Sequence, residues 1–125
     1  MKLRNMPPAN DGKLYYLASP YSKYPYGQDA AYEVVAWIAA ELLKNGVICY
    51  SPIVHTHKLA EAGKIDNVDH DLWMAADKPF VDRCDAMIVA KMPGWFESKG
   101  VGMEIKWFEE AGKPIVYLDV EVEGR

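Results

Sequence analysis

Apolar positions along the chain fall into two alternating rhythms. Residues 14–19 (LYYLAS), 47–50 (VICY), 85–91 (DAMIVAK) and 115–118 (IVYL) are short apolar runs rich in β-branched and aromatic residues, and they predict strands. Residues 28–44 place Val34, Val35, Ile38, Ala39, Leu42 and Leu43 at helical spacing, and Lys44-Asn45-Gly46 supplies a stop. Residues 69–84 predict a second helix, kinked or restarted at Pro79. Residues 99–111 predict a third, ended by Gly112-Lys113-Pro114. The stretch 51–68 is polar and mixed, with a short helix over 57–62. Residues 1–12 carry Pro7, Pro8, Asn10, Asp11 and Gly12 and read as a loose lead-in to a single domain over 13–125. The tail, 119–125, reads as an added edge strand or a frayed end. There is no internal repeat and no low-complexity segment.

Strand and helix alternate, and most of the strand runs are continuously apolar rather than alternating. That combination predicts an α/β fold with a parallel sheet of four or five strands, covered on both faces and joined by right-handed crossovers. Ligands of such sheets bind beyond the carboxyl ends of the strands. The loops leaving those ends are 20–27, 51–68 and 92–98. A pocket there collects Ser19, Tyr21, Ser22, the His55/His57 region and the segment from Ser98 to Glu104.

Composition narrows the class of partner. The chain has 125 residues, 50% of them hydrophobic and 26% charged, as expected of one soluble globular domain. Net charge is −4 and no Lys/Arg cluster exceeds a pair, which argues against nucleic acid as the main partner. A small anionic ligand held by backbone N–H groups remains compatible. Cys49 and Cys84 sit in or beside apolar runs and read as reduced core thiols of a cytosolic protein. Residues 1–12 lack the apolar segment of a signal peptide, and no apolar run approaches membrane-spanning length. The expectation is a cytoplasmic protein with a small-molecule ligand and no membrane partner.

The chemistry concentrates in Ser98-Lys99-Gly100-Val101-Gly102-Met103-Glu104. Gly100 and Gly102 let backbone approach a ligand, and the helix start offers free N–H groups to an anion. Glu104 falls inside the apolar arc of Val101, Ile105, Trp107 and Phe108, where a carboxylate is costly. It is a candidate nucleophile or base; the plain alternative is a solvated first-turn Glu. Glu109 and Glu110 read as surface charge. Asp77, near the break at Pro79, is a second candidate, against the default of a surface Asp. Asp85 at a strand mouth reads as a cap or turn residue.

Other candidates are weaker. His55-Thr56-His57 would share a metal if extended, yet no third ligand has a recognisable spacing, so a structural or substrate-contacting role is preferred. The acidic run 66–71 reads as a helix N-cap and a solvated first turn. Tyr15 and Tyr16 face opposite sides of the first predicted strand, and one hydroxyl can reach the pocket. Trp95 and Phe96 read as a stacking wall, an oligomer contact or packing over the sheet end.

Tyr16-Leu17-Ala18-Ser19, Asp77 eight residues before Asp85, and Ser98-x-Gly-x-Gly-x-Glu104 together resemble the nucleoside 2-deoxyribosyltransferase superfamily. The motifs look most like its deoxynucleoside 5′-monophosphate N-glycosidase branch, and the chain also looks like a small bacterial and phage family within the superfamily. The similarity spans roughly residues 13–118. It implies a flavodoxin-like, Rossmann-like three-layer fold and cleavage of the N-glycosidic bond of a nucleoside or nucleotide. Glu104 would attack C1′ and form a covalent glycosyl-enzyme. Tyr16 would lie beside it, and Asp77 would protonate the leaving base. Ser98 and Gly100 would hold a 5′-phosphate. The resemblance implies no cofactor and a homo-oligomer, dimer or tetramer. The chain departs from the phosphate-binding branch after the first predicted strand: that branch carries an arginine there, and this chain reads Ser19-Pro20-Tyr21-Ser22-Lys23.

The leading reading is therefore an N-glycosidase or N-deoxyribosyltransferase. Ser19, Tyr21, Ser22, His55, Trp95, Ser98, Gly100 and Gly102 are its candidate binding residues. A non-catalytic nucleotide-binding module on the same fold is the alternative. A metal-dependent hydrolase built on His55 and His57 stands third.

Overall fold

The computed structural model describes residues 1–67 and 69–122. In chain order the elements are β1 (Lys2–Arg4), β2 (Leu14–Ala18), α1 (Gln28–Lys44), β3 (Ile48–Tyr50), α2 (Pro52–Gly63), α3 (His70–Arg83), β4 (Ala86–Lys91), α4 (Lys99–Glu110) and β5 (Ile115–Glu121). The strands form one five-stranded sheet in the order β1-β5-β4-β2-β3. β2, β3, β4 and β5 are mutually parallel, and β1 joins β5 antiparallel.

The period of two along β2 divides the core. Tyr15 and Leu17 face α1, where Val34, Val35, Ile38 and Leu42 close the layer together with Ile88 and Leu118. Tyr16 and Ala18 face the opposite side, with Met87 and Val89 of β4, Val81 of α3, and Val101 and Phe108 of α4. β2 and β4 are buried on both faces, which is why their sequences read as continuous apolar runs. α1 ends as its sequence predicts: Asn45 is the C-cap, Gly46 takes φ 78° and the Val47 N–H returns to the Leu42 carbonyl.

The sheet is mixed, which corrects the expectation of a purely parallel one. The predicted lead-in supplies the extra strand, with Lys2 opposite Glu121 and Arg4 opposite Asp119. Arg4 pairs with Glu121 at 3.4 Å, and Leu3 packs on the α1 side of the core. Opposite charge across the ladder and one anchoring leucine suffice to seat a three-residue strand on an otherwise open edge.

The second correction concerns the polar stretch after β3, which is helix from Pro52 rather than from residue 57. Ser51 caps it by accepting from the Val54 N–H, and Pro52 occupies the first turn, where its missing donor costs nothing. Its apolar stripe is thin, because only Pro52, His57 and Ala60 are buried. α3 runs from His70 to Arg83 with Pro79 inside it, and Asp69 caps it by accepting from the Leu72 N–H, the role read for the acidic run. Val68 of that run lies outside the described residues, as do 123–125 of the predicted tail; the tail's described part extends β5 to Glu121. Cys49 and Cys84 are both free thiols. Among the described residues no helix is long and apolar enough to cross a membrane.

Two loops at the carboxyl end of the sheet are locked together at Gly94. Its φ is 92°, and a Cβ there would collide with the Lys23 carbonyl oxygen. Gly12 has a comparable φ of 78° with open space around it. Gly94→Ala should therefore destabilise the protein by about 2 kcal/mol more than Gly12→Ala, read from urea unfolding midpoints. Equal losses would show that the two loops are not in contact.

Candidate functional site

The strand order reverses at β2, which has β3 on one side and β4 on the other. Crevices open beyond the carboxyl ends of strands at such a point. Here the crevice is a cavity of about 220 Å³, open to solvent. The segment after β2 contributes Ser19, Tyr21, Ser22 and Lys23 to its wall. α2 adds His57, α3 adds Met74 and Asp77, and Ser98 with α4 adds Gly100, Val101 and Glu104.

Glu104 is placed by the α4 apolar stripe. Val101, Glu104 and Phe108 are its buried residues and recur at the spacing of one helix face. Ser98 starts the helix by accepting from the Val101 N–H at 3.2 Å. Glu104 is thereby carried under the end of β2, where the Tyr16 hydroxyl donates to its Oε2. Tyr16 is itself fully buried between Tyr50 and Phe108. Burial and the neighbouring acids hold its phenol protonated, so it acts only as a donor to Glu104.

Asp77 approaches from α3. It is buried, its Oδ1 has no partner among the described residues, and burial raises its pKa to about 7. Burial raises Glu104 as well, to about 8, with the nearby Asp77 adding to the rise and the Tyr16 hydrogen bond opposing it. The two carboxyls therefore compete for protons near neutrality. The Tyr16 donor favours negative charge on Glu104, and Asp77 Oδ1 has no donor among the described residues. Burial acts the other way, raising Glu104 to the higher value of the two, so near neutrality one proton is shared between the carboxyls. Ser19 Oγ is a second buried atom without a partner among the described residues, and it too lines the cavity. Buried polar groups rarely stay unpaired. Two on one cavity wall mark a surface shaped for polar atoms of a ligand.

The cavity gathers Glu104, Asp77, Ser19, Tyr21, Ser22, Ser98 and Gly100 from the candidates, with Tyr16 behind Glu104. It does not gather His55, Trp95 or Gly102. His55 is exposed, bonded through Nδ1 to the Tyr50 hydroxyl at 2.8 Å and set against the Phe80 ring. Trp95 packs against Phe96 and Tyr117 beyond β4. Gly102 is exposed, and a Cβ there would meet nothing within 4 Å. A Cβ at Gly100 would meet only ordinary contacts with Met74 and Ser98, so close backbone approach does not explain either glycine.

His55 and His57 lie two positions apart on α2, a spacing that sends side chains to different faces. Among the described residues there is no group of three His, Cys, Asp or Glu side chains that could hold a metal ion. Asp85 has the plain role, accepting from the Leu14 N–H at 2.8 Å. Sequence reasoning missed Asp29, Lys23 and Met74 in or beside the site. The capping pair Ser51-Pro52 was the available signal for α2, and it would have separated the two histidines.

A family model described as a domain of unknown function, DUF1937, matches residues 13–120. No curated protein matches the chain.

Raised carboxyl pKa values tie the site to stability. A buried acid whose folded pKa exceeds its unfolded value favours the folded state below the unfolded pKa, and that contribution is lost as pH rises through the folded pKa. For Glu104 the window runs from the ordinary value of 4.5 to about 8. Thermal stability should fall between pH 5 and pH 9, by on the order of a few kcal/mol in the part due to Glu104. Glu104→Gln should flatten that slope, measured by calorimetry across pH. A slope unchanged in the variant would mean that Glu104 is solvated and ionised throughout.

Proposed function

The chain belongs to the DUF1937 family, and from the geometry of its cleft we propose that it cleaves the N-glycosidic bond of a nucleoside or nucleoside 5′-monophosphate through Glu104. One observation carries the reading. A buried Glu104 receives a hydrogen bond from a phenol that can only donate, beside a second buried acid whose Oδ1 has no partner among the described residues, and both acids line one cavity. The order of the parallel strands, β3-β2-β4-β5, agrees with a flavodoxin-like core, and the resemblance to nucleoside 2-deoxyribosyltransferases supplies the reaction class.

Glycosidic cleavage passes through an oxocarbenium-like transition state and needs a carboxylate against the anomeric carbon and an acid toward the leaving group. The Glu104 carboxylate attacks C1′, forming a C–O bond as the C1′–N bond breaks. The electron pair of that bond leaves with the base, which takes its proton from Asp77. Water, or a second base in a transferase, then attacks C1′ and releases Glu104, with Asp77 taking back a proton. Two carboxyls in unlike settings divide the nucleophile and acid roles. Tyr16 holds Glu104 in register for attack and stabilises its charge before and after the glycosyl ester. A ligand hydroxyl or base edge would satisfy Ser19 Oγ.

The test is release of free base from a panel of ribo- and deoxynucleosides and their 5′-monophosphates, with and without an acceptor base, followed by chromatography. Glu104→Gln should lower turnover by about a thousandfold or more with ligand binding retained. Asp77→Asn should lower it by roughly 10² to 10⁴-fold, least with bases that leave without protonation. No release across the panel, with ligand-induced thermal stabilisation, would instead support a nucleotide-binding module.

The resemblance also carries a homo-oligomer into the proposal. Phe96, 80% exposed on the loop after β4, is the kind of aromatic that a subunit contact would cover. Light scattering at micromolar concentration should give at least a dimer, and Phe96→Ser should shift it toward monomer.

A further inference from the structure

Beside the two acids, the wall of the cleft carries a chain of three residues that glycosidic cleavage leaves unused. The Tyr21 hydroxyl lies 2.6 Å from Nδ1 of His57, and Nε2 of His57 lies 3.1 Å from Oδ1 of Asp29. Tyr21 comes from the loop after β2, His57 from α2 and Asp29 from the first turn of α1, so three separate segments converge. The imidazole is 7% exposed and stacks on Tyr32 with centroids 4.4 Å apart, while Tyr21 meets its edge. The Asp29 side chain is 93% exposed. The inner end of the chain thus faces the ligand cavity and the outer end faces solvent. Tyr21 and His57 share the cavity wall with Ser22, Lys23 and Lys99.

The geometry leaves few arrangements of the protons. Asp29 is an acceptor when ionised, so Nε2 of His57 carries hydrogen. In the neutral ring Nδ1 is then an acceptor, and the Tyr21 O–H must point to it. The Tyr21 oxygen offers only lone pairs to the cleft in that state. One further proton on the ring reverses the inner bond. Nδ1–H then donates to the Tyr21 oxygen, and the Tyr21 O–H is free to turn toward a ligand. Burial raises the Tyr21 pKa, so the hydroxyl remains a phenol in both states. The Asn67 side chain also hydrogen-bonds the Tyr21 hydroxyl, Glu61 lies near it, and Lys58 lies over the Tyr32 ring.

We infer that Tyr21, His57 and Asp29 form a proton relay that recognises an oxyanion of the ligand, of the phosphate monoester class, by taking up a proton at His57. Lys23 and Lys99 supply fixed positive charge on the same wall, and the relay supplies a donor that exists only when the anion is present. A neutral hydroxyl in the same place is bound without proton uptake. The inference rests on the proposed function for the ligand class alone; Tyr21 would be a binding residue, and His57 and Asp29 positioning residues acting through it.

The probe is ribose 5-phosphate, which lacks a base and cannot be cleaved, so the measurement does not depend on glycosidase activity. Isothermal titration calorimetry in buffers of different ionisation heat gives the protons taken up on binding. Wild type should take up more protons than His57→Gln, in which the ring is replaced by an amide that does not titrate. It should also prefer ribose 5-phosphate to ribose by about tenfold more than the variant does. Asp29→Asn, on the surface, should reduce the uptake without disturbing the fold. Nitrogen NMR of the free protein should show the Nε2–H form of neutral His57. Inorganic phosphate should give the same excess uptake; uptake with phosphate alone would mark a free-anion site and overturn the assignment to a sugar phosphate. Equal uptake in wild type and both variants, or no binding of ribose 5-phosphate, would overturn the relay. Base release from nucleosides despite that failure would leave the proposed function standing, and excess uptake without any base release would do the reverse.

Discussion

The hydrogen bond from Tyr16 to Glu104 is the interaction on which the site depends. It joins β2 to the first turns of α4, across the side of the core built from Val81, Met87, Val89, Val101 and Phe108. A buried carboxyl without a donor would be protonated or expelled. A buried phenol without an acceptor would lose a hydrogen bond of its own. Each makes the other tolerable, and together they hold a carboxyl oxygen near the end of β2, where the strand order opens a crevice.

Asp77 gains its meaning from that pair. On an isolated α3 it would be one acid among several surface charges. Packed beside Glu104 in the cavity wall, it becomes a group whose protonated form burial favours, and its Oδ1 has no partner among the described residues. The Tyr16 hydroxyl distinguishes the two acids, because it donates to Glu104. A tyrosine hydroxyl also meets the second polar cluster, where Tyr21 lies 2.6 Å from Nδ1 of His57.

Much of the layout was legible in sequence because it follows from period and punctuation. β2 and β4 announce themselves as continuous apolar runs, α1 by its stripe and its Asn45-Gly46 stop, and α4 by Ser98 and the Val101–Phe108 face. Glu104 stood out because a carboxylate interrupted that face. Two elements were not legible for the same reason: their stability comes from partners distant in sequence. β1 exists because Arg4 and Leu3 find β5, more than a hundred residues away. α2 has too few buried residues to show a helical period, and its capping signal is local and short.

By itself the sequence determined the alternation of strands and helices, the carboxyl-end loops that would face a ligand, and Glu104 as an acid in an apolar stripe. These are properties of neighbours along the chain, where spacing alone decides which side chains share a face. The tertiary structure alone decided the mixed edge of the sheet, the inward turn of Asp77, the separation of His55 from His57 and the meeting of Tyr21, His57 and Asp29. Each of those depends on which segments lie side by side, and the direction of a side chain toward a neighbour that is remote in the chain leaves no periodic trace in the sequence.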